Sequence, residues 1–164
     1  MIITNNFLSL YREQDGHELK GYLKFDEATL EHDFNTAALT QKGWIYAAID
    51  DSMLEDGEIQ EITELIEIKH LFCLDLDQLF KPNNAFDFPV HTFRNCQEDW
   101  EEILSPSQEY TLWNSLLFDG SQLMIIKPWS AGYNLLIAGK EQTLRQICRS
   151  SNWLFNQKYP IFPL

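Results

Sequence analysis

Residues 122–139 read QLMIIKPWSAGYNLLIAG, and this stretch indicates the fold class. Its two apolar halves flank a Ser-Ala-Gly segment that suits a turn, so it predicts an antiparallel hairpin. The segment that follows, KEQTLRQICRSS (140–151), has the spacing of a helix, with Leu144, Ile147 and Cys148 facing inward. A hairpin that leads directly into a helix is the unit from which we interpret the rest of the chain.

Apolar periodicity elsewhere predicts more hairpins and helices. The predicted strands are FLSLYR (7–12), paired as a hairpin with LKGYLKF (19–25), then WIYAAID (44–50) as a central strand, and about 68–76. The predicted helices are 26–43, about 58–67, and one that begins at the capping sequence SPSQ (105–108) and ends before Gly120. A loop is predicted at 80–89. This pattern predicts an α+β fold with a mostly antiparallel sheet and packed helices, formed by residues 1–164 as a single domain.

The negative charge of the chain is concentrated in two segments. The formal net charge is −13, from 25 acidic and 12 basic residues. Residues 50–68 hold eight of the acids and residues 97–102 hold four, and neither segment contains a base. Elsewhere 13 acids nearly balance the 12 bases, so the excess needs a local explanation.

Composition argues against several classes of function. The bases are scattered, which disfavours direct binding of nucleic acid. No apolar run approaches the roughly 18 residues of a membrane span. The three cysteines form no C-x-x-C pair, which indicates free thiols and a cytoplasmic location. We expect no cofactor.

The acidic stretch 50–68 contains DGEI, which is similar to half of a calcium-binding EF-hand loop. With Gly57 at the sixth loop position, Leu54 falls at the third and Thr63 at the twelfth. Neither residue supplies the required carboxylate. We therefore expect no metal, and interpret the stretch as an Asp-Gly turn that leads into a helix.

Catalytic candidates are sparse. HTFRNC (91–96) contains a His, an Asn and a Cys that could form an activated nucleophile if they met in space, and Asp75 and Asp77 share one face of a predicted strand. We do not expect an enzyme, although one using Asp75, Asp77, His91 or Cys96 is an alternative.

Histidines can also be assigned from the pattern. His17 and His32 lie among polar residues and are expected to be exposed. His70 follows an apolar alternation and is expected in the core.

Binding to a positively charged partner accounts best for the acidic segments. Acids along a helix without a Lys four residues away lack the usual pairing on a helix face. Trp100, flanked by two acids on each side, resembles a binding hot spot, although it could also face inward from an amphipathic helix. The candidate partner-binding residues are Asp50, Asp51, Glu55, Asp56, Glu58, Glu61, Glu98, Trp100 and Glu102.

A small, acidic, cysteine-poor α+β chain without a catalytic signature resembles bacterial immunity proteins that neutralise nuclease toxins, including those of contact-dependent growth inhibition systems. The resemblance implies a basic toxin domain as partner, whose cationic cleft the acidic side chains would cover. Complementary charge would accelerate such an association. A non-inhibitory interaction module, in which the acids maintain solubility, is a further alternative.

Overall fold

The computed structural model of the chain describes residues 2–27, 31–50, 56–65, 67–81, 86–104, 114–127 and 134–158. In these ranges the strands are β1 Ile3–Asn6, β2 Leu23–Asp26, β3 Glu31–Phe34, β4 Trp44–Asp50, β5 His70–Asp75, β6 Pro89–Arg94, β7 Ser115–Phe118, β8 Leu123–Ile126, β9 Asn134–Lys140 and β10 Leu154–Phe155. The helices in the same ranges are α1 Phe7–Leu10, α2 Glu13–Gly21, α3 Thr36–Lys42, α4 Asp56–Thr63, α5 Leu76–Leu79, α6 Gln97–Leu104 and α7 Glu141–Ile147.

One large sheet organises the fold. Among the described strands, eight form a sheet in the order β1-β6-β5-β7-β8-β9-β4-β10, and every pairing in it is antiparallel. Strands β2 and β3 form a separate antiparallel hairpin. The prediction of an α+β fold with a mostly antiparallel sheet is therefore confirmed.

Both faces of the sheet are covered, which explains why its inner strands are apolar at consecutive positions. Successive side chains point to opposite faces: Leu117 and Ile125 belong to one buried cluster, and Leu116 and Ile126 belong to the other. We call the side covered by α4, α6 and α7 the first face. The second face is covered by α1, α3, α5 and the β2–β3 hairpin, with α2 packed alongside.

The N-terminal predictions are largely wrong. FLSLYR begins with helix α1 instead of a strand, because the Asn6 side chain accepts a hydrogen bond from the N–H of Leu8 at 3.0 Å and caps the helix. Phe7 is thereby fully buried. Helix α2 then occupies the predicted turn and the first part of LKGYLKF, and the strand that follows it, β2, pairs with β3.

The predicted helix 26–43 is divided into a strand and a shorter helix. Asp26 is the last residue of β2 and Glu31–Phe34 form β3, while residues 28–30 between them lie outside the described ranges. Asn35 then caps α3 through a 3.2 Å hydrogen bond from the N–H of Ala38. Gly43 ends the helix at φ 80°, as its predicted role as a stop requires.

The elements that follow agree better with the sequence. Strands β4 and β5, helices α4 and α7, and the β8–β9 hairpin all confirm predictions, with the hairpin's turn lying outside the described ranges. Strand β4 is less central than expected, because β10 is the edge strand next to it. The predicted loop 80–89 falls partly outside the described ranges, at 82–85, and ends where β6 begins.

The predicted helix from SPSQ to residue 118 is wrong at its end. Residues 115–118 form β7, an inner strand of the sheet that pairs with β5 and β8 and is buried on both faces. The capping sequence itself, and the rest of that stretch to residue 113, lie outside the described ranges.

Of the helices in the described ranges, none combines the length and apolar character that crossing a bilayer requires.

Candidate partner-binding surface

The described parts of the two acidic segments, which are separated by about thirty residues in the sequence, meet on the first face. Helix α4 contacts both α6 and α7. Ile59 and Ile62 of α4 pack into the same buried cluster as Ile103 of α6. Because each helix turns its apolar side toward the sheet, most of the described acids of the two helices lie on the outer side of this face, with Glu58 and Asp99 as buried exceptions.

The Asn95 side chain holds these elements together. Its Nδ2 donates hydrogen bonds of 2.9 Å to the carbonyl oxygens of Ile62 and Ile68, at the end of α4 and in the segment that follows. Its Oδ1 accepts a 2.8 Å hydrogen bond from Nε1 of Trp100. One partly buried amide therefore fixes the position of α6 relative to α4 and satisfies three polar groups.

The prediction that Trp100 contacts a partner needs correction. Its side chain is 2% exposed and stands edge-on to Phe93, with ring centroids 5.6 Å apart. Residues 97–104 form an amphipathic helix, and helical spacing places Trp100 on its inward side, as the alternative interpretation required. Trp100 positions the surface from beneath and does not belong to it.

Asp99 is also buried, where it binds Arg94. One carboxylate oxygen accepts from the main-chain N–H of Arg94 at 2.8 Å, and the other accepts from its Nη2 at 3.0 Å. The guanidinium lowers the pKa of Asp99 to about 2. Glu98, which is 85% exposed, lies 3.7 Å from the same Arg94.

Two acids of α4 have partners that the sequence did not indicate. Glu58 is buried, and its Oε1 accepts a 3.4 Å hydrogen bond from Nδ2 of Asn152. Glu61 is 21% exposed and lies 3.3 Å from Nε of Arg149, just after α7. Glu64 lies 3.7 Å from Nη2 of the same arginine. A base distant in sequence therefore neutralises part of the charge of α4, and Glu58 is corrected from surface to interior.

The remaining candidates are distributed as follows. Asp50 is half-buried at the end of β4, and Glu102 is half-buried on α6. Asp56 begins α4, but its side chain, like all of Asp51 and Glu55, lies outside the described part of the chain. The exposed described carboxylates on and beside α4 and α6 are Glu64, Glu67, Glu98 and Glu101, and we call them the acidic face.

A groove borders the acidic face between α4 and α7. It has a volume of about 490 Å³ and is lined by Glu61, Glu64 and Glu67 on one side and by Arg145 and Arg149 on the other. The groove is lined by both acidic and basic side chains, so their charges partly cancel. The more negative part of the surface is therefore the exposed side of α6, where the acids are Glu98 and Glu101.

The catalytic candidates have structural partners. Asp75 caps α5 through a 3.0 Å hydrogen bond from the N–H of Gln78, and Asp77 accepts one of 2.9 Å from Nδ2 of Asn114. Nδ1 of His91 lies 2.8 Å from Oγ1 of Thr4 at the edge of the sheet. Within the described residues, no group of three His, Cys, Asp or Glu side chains could hold a metal ion. That the chain is not an enzyme stays a prediction.

Two histidine predictions are wrong. His32 is 4% exposed, between the rings of Phe25 and Phe80 at 4.9 and 4.3 Å, and burial lowers its pKa. His70, expected in the core, is exposed at the start of β5. His70 faces the same side as Phe72 and Leu74, which pack into the second-face cluster, but it is the first residue of β5 and stays exposed at that end of the strand. His17 is exposed, as expected.

The second face carries an aromatic cavity of about 100 Å³ that the sequence did not indicate. Tyr11, Tyr22 and Trp44 line it, and Nζ of Lys42 lies 4.7 and 4.9 Å from the ring centroids of Tyr22 and Trp44. Burial, together with Asp119 and Asp15, raises the pKa of Tyr11. Lys42 also lies 3.9 Å from Glu18, so the chain's own cation already occupies these aromatic and acidic partners.

The residues that sequence reasoning missed are Asn95, Asp99 with Arg94, and Arg149. Arg94, Asn95 and Asp99 lie within RNCQEDW (94–100). The contacts Arg94–Asp99 and Asn95–Trp100 each join residues five positions apart, so a local signal existed. Arg149 is more than eighty residues from Glu61, and a pattern of periodicity cannot join them.

No family model, curated protein or solved structure matches this chain.

Proposed function

We propose that this protein binds a basic protein partner through the acidic face, and that it is an immunity protein that inhibits a bacterial nuclease toxin by covering its cationic cleft. One observation carries the proposal: helices α4 and α6, which belong to the two segments that hold the excess acids, are adjacent on one face of the sheet. The exposed described acids of both segments, Glu64, Glu67, Glu98 and Glu101, therefore lie on the same face.

The partial neutralisation by Arg94 and Arg149 is compatible with this function. Both arginines are about half exposed, at 51% and 55%, and they pair with acids at the edges of the surface. Glu98 and Glu101 point outward from α6, where a cationic partner could approach without displacing core contacts. Such exposed charges act chiefly on the rate of association, which salt screens.

The negative charge of the surface favours a basic protein over nucleic acid as the partner. A nuclease cleft is positively charged because it binds phosphate, so it attracts a negatively charged surface. The same negative charge disfavours direct binding of nucleic acid by this chain. The proposed place of action is the cytoplasm, where an incoming toxin would meet its target.

The test uses the nuclease domain of the toxin that the proposal expects to be encoded immediately upstream of this chain. The double variant Glu98→Lys/Glu101→Lys should associate with that domain at least roughly tenfold more slowly at low salt, with a much smaller difference at high salt. The matched control is Glu13→Lys/Glu27→Lys, which makes the same change of net charge at exposed positions outside the first face.

The two variants separate a located surface from net charge. Equal slowing of both would contradict the acidic face as the interface. Nuclease activity should be measured in the same samples, because a partner that binds tightly but stays active would indicate a non-inhibitory interaction module instead.

A further inference from the structure

The aromatic cavity of the second face plays no part in the proposed function, and it has the size and lining of a small-molecule site. Its volume is about 100 Å³, and its apolar lining includes the buried side chains of Phe118, Leu123 and Met124. An apolar protein cavity of roughly 150 Å³ is enough to bind benzene. Residues at its rim, such as Glu18 and Ser121, are exposed, so the cavity opens to solvent. It can therefore take a ligand about as large as one ring, with a head group at the rim.

The charges along the cavity favour a positively charged ligand. Its lining includes two acids, Asp15 and Glu18, and one base, Lys42. Lys42 lies 3.9 Å from Glu18 and donates a 3.1 Å hydrogen bond to the Tyr22 hydroxyl, so the charges of this pair largely cancel. Asp15 lies 3.5 Å from Arg12, but that side chain is 77% exposed and solvent screens the pair. The end of the cavity at Asp15 is therefore negative.

The Tyr11 hydroxyl adds a second polar group at this end. Burial raises its pKa, and the carboxylates of Asp119 and Asp15 raise it further, as a negative potential at the hydroxyl does. Within the described ranges, no hydrogen bond joins this hydroxyl to another residue. A phenol oxygen can accept a hydrogen bond from an ammonium group, and so can the carboxylate of Asp15.

The aromatic walls already hold one ammonium group, that of Lys42. Its Nζ lies 4.7 and 4.9 Å from the ring centroids of Tyr22 and Trp44. These two rings are nearly parallel, at 16°, with centroids 6.4 Å apart. Ring faces attract cations, and the attraction strengthens where water is excluded. Lys42 thus closes one end of the cavity, and the end at Tyr11 and Asp15 is left for a cation from outside the chain.

We propose that the aromatic cavity binds a small organic cation, with its ammonium group at Asp15 and the Tyr11 hydroxyl and its apolar body against Phe118 and Met124. A small anion is the competing occupant, because Lys42 could bind it. The pairing of Lys42 with Glu18 argues against an anion. This inference is independent of the proposed function.

The experiment titrates the isotope-labelled chain with benzylammonium, benzyl alcohol and benzoate, which share a ring and differ in charge. The amide signals of Gly120 and Ser121, at the rim of the cavity, should shift and saturate with millimolar benzylammonium. Benzyl alcohol and benzoate should bind at least roughly threefold more weakly. The proposal is overturned if benzoate binds as tightly as benzylammonium, or if the shifts do not saturate.

Variants then locate the charge. Asp15→Asn should weaken benzylammonium binding at least roughly threefold. Glu13→Gln is the matched control, because Glu13 is an exposed acid of the same helix that does not line the cavity, and it should leave binding unchanged. Equal weakening by both variants would overturn the proposal.

Lys42→Met keeps an apolar side chain beside the rings and removes the positive charge inside the cavity. It should tighten the binding of benzylammonium, because the repulsion between two cations is lost. Weaker or unchanged binding of benzylammonium to Lys42→Met would overturn the proposal. Asp15 also accepts a hydrogen bond at the start of α2, so circular dichroism should check the fold of Asp15→Asn. If that variant fails to fold, Lys42→Met decides.

Discussion

On the first face of the sheet, polar side chains tie the helices together, whereas on the second face aromatic rings do so. Asn95 joins α4 to α6, and Asp99 holds Arg94 at the start of α6. On the second face Phe7 lies 5.3 and 5.2 Å from the rings of Tyr11 and Phe88. Directional hydrogen bonds therefore hold the helices on the first face, and packing of aromatic rings holds those on the second face.

The difference matters for function, because directional bonds fix where the surface groups lie. A hydrogen-bonded layer specifies the angle between α4 and α6, and so the arrangement of the acidic face. Aromatic packing contributes buried area with less stringent geometry. We expect variants in the two layers to differ accordingly.

The largest effect is expected at Trp100. Trp100→Ala removes a large buried side chain and leaves Oδ1 of Asn95 without its donor, so it should lower the free energy of unfolding by about 3–5 kcal/mol. Chemical denaturation measures the change. Trp100→Phe keeps much of the volume but not the hydrogen bond, and should cost clearly less. Equal stability of Trp100→Ala and the unchanged chain would place this side chain on the surface after all.

Asp99→Asn comes next. Hydrogen bonds to a charged acceptor contribute about 1.5–3 kcal/mol, and we expect a loss of about 2 kcal/mol at neutral pH. The pKa of Asp99 is lowered when the chain folds, so its contribution is complete above about pH 4 and is lost as the pH falls toward 2. The difference between Asp99→Asn and the unchanged chain should therefore shrink over that interval. Glu98→Gln, which alters an exposed neighbour of the same arginine, should show almost no change.

Two glycines compare the layers directly. A Cβ at Gly16 of α2 would lie 2.4 Å from Cε1 of Phe86, whereas a Cβ at Gly57 of α4 would meet no atom of the described residues within 4 Å. Gly16→Ala should destabilise the chain by about 1–2 kcal/mol, because overpacking outweighs the gain in helix propensity. Gly57→Ala should be neutral or stabilising by up to about 1 kcal/mol. Thermal melts of both variants measure the two changes. A lower melting temperature for Gly57→Ala than for Gly16→Ala would contradict the packing of α2.

Gly16 shows where the local sequence was misleading. The Asp15-Gly16 pair falls in the turn predicted between FLSLYR and LKGYLKF, but it lies within α2. There Asp15 accepts a 2.8 Å hydrogen bond from the N–H of Arg12, and Gly16 accommodates the ring of Phe86. Nothing local indicates that a distant aromatic ring needs this space. The contact is tertiary, and it overrides the local signal.

The first face was more predictable because its elements carry their own periodicity. Ile59, Ile62 and Leu65 are apolar at helical spacing, and α4 overlaps the predicted helix, although it begins two residues earlier and ends at Thr63. The concentration of acids was evident in the sequence, but their neutralisation by Arg149 was not, because pairing across elements depends on the arrangement of the helices. The candidate site could thus be located by segment, but not residue by residue.

The smallest stability effect is expected at Arg149. Arg149 and Glu64 are about half exposed and Glu61 is 21% exposed, so Arg149→Ala should lower the free energy of unfolding by about 1 kcal/mol or less. The same change removes a positive charge beside the acidic face and should accelerate association with the proposed basic partner at low salt. Arg12→Ala, at a position 77% exposed on the opposite side of the sheet, is the control. If it accelerates association as much, net charge alone is responsible.

The most direct test of the acidic face is nuclear magnetic resonance of the isotope-labelled chain, titrated with the nuclease domain of the toxin that the proposed function expects to be encoded upstream. We predict that amide signals of the outward residues of α4 and α6, including Glu64, Glu98 and Glu101, change first and most, and that those of α2 and α3 change little. Changes concentrated on the second face, or an absence of changes at α6, would contradict the account.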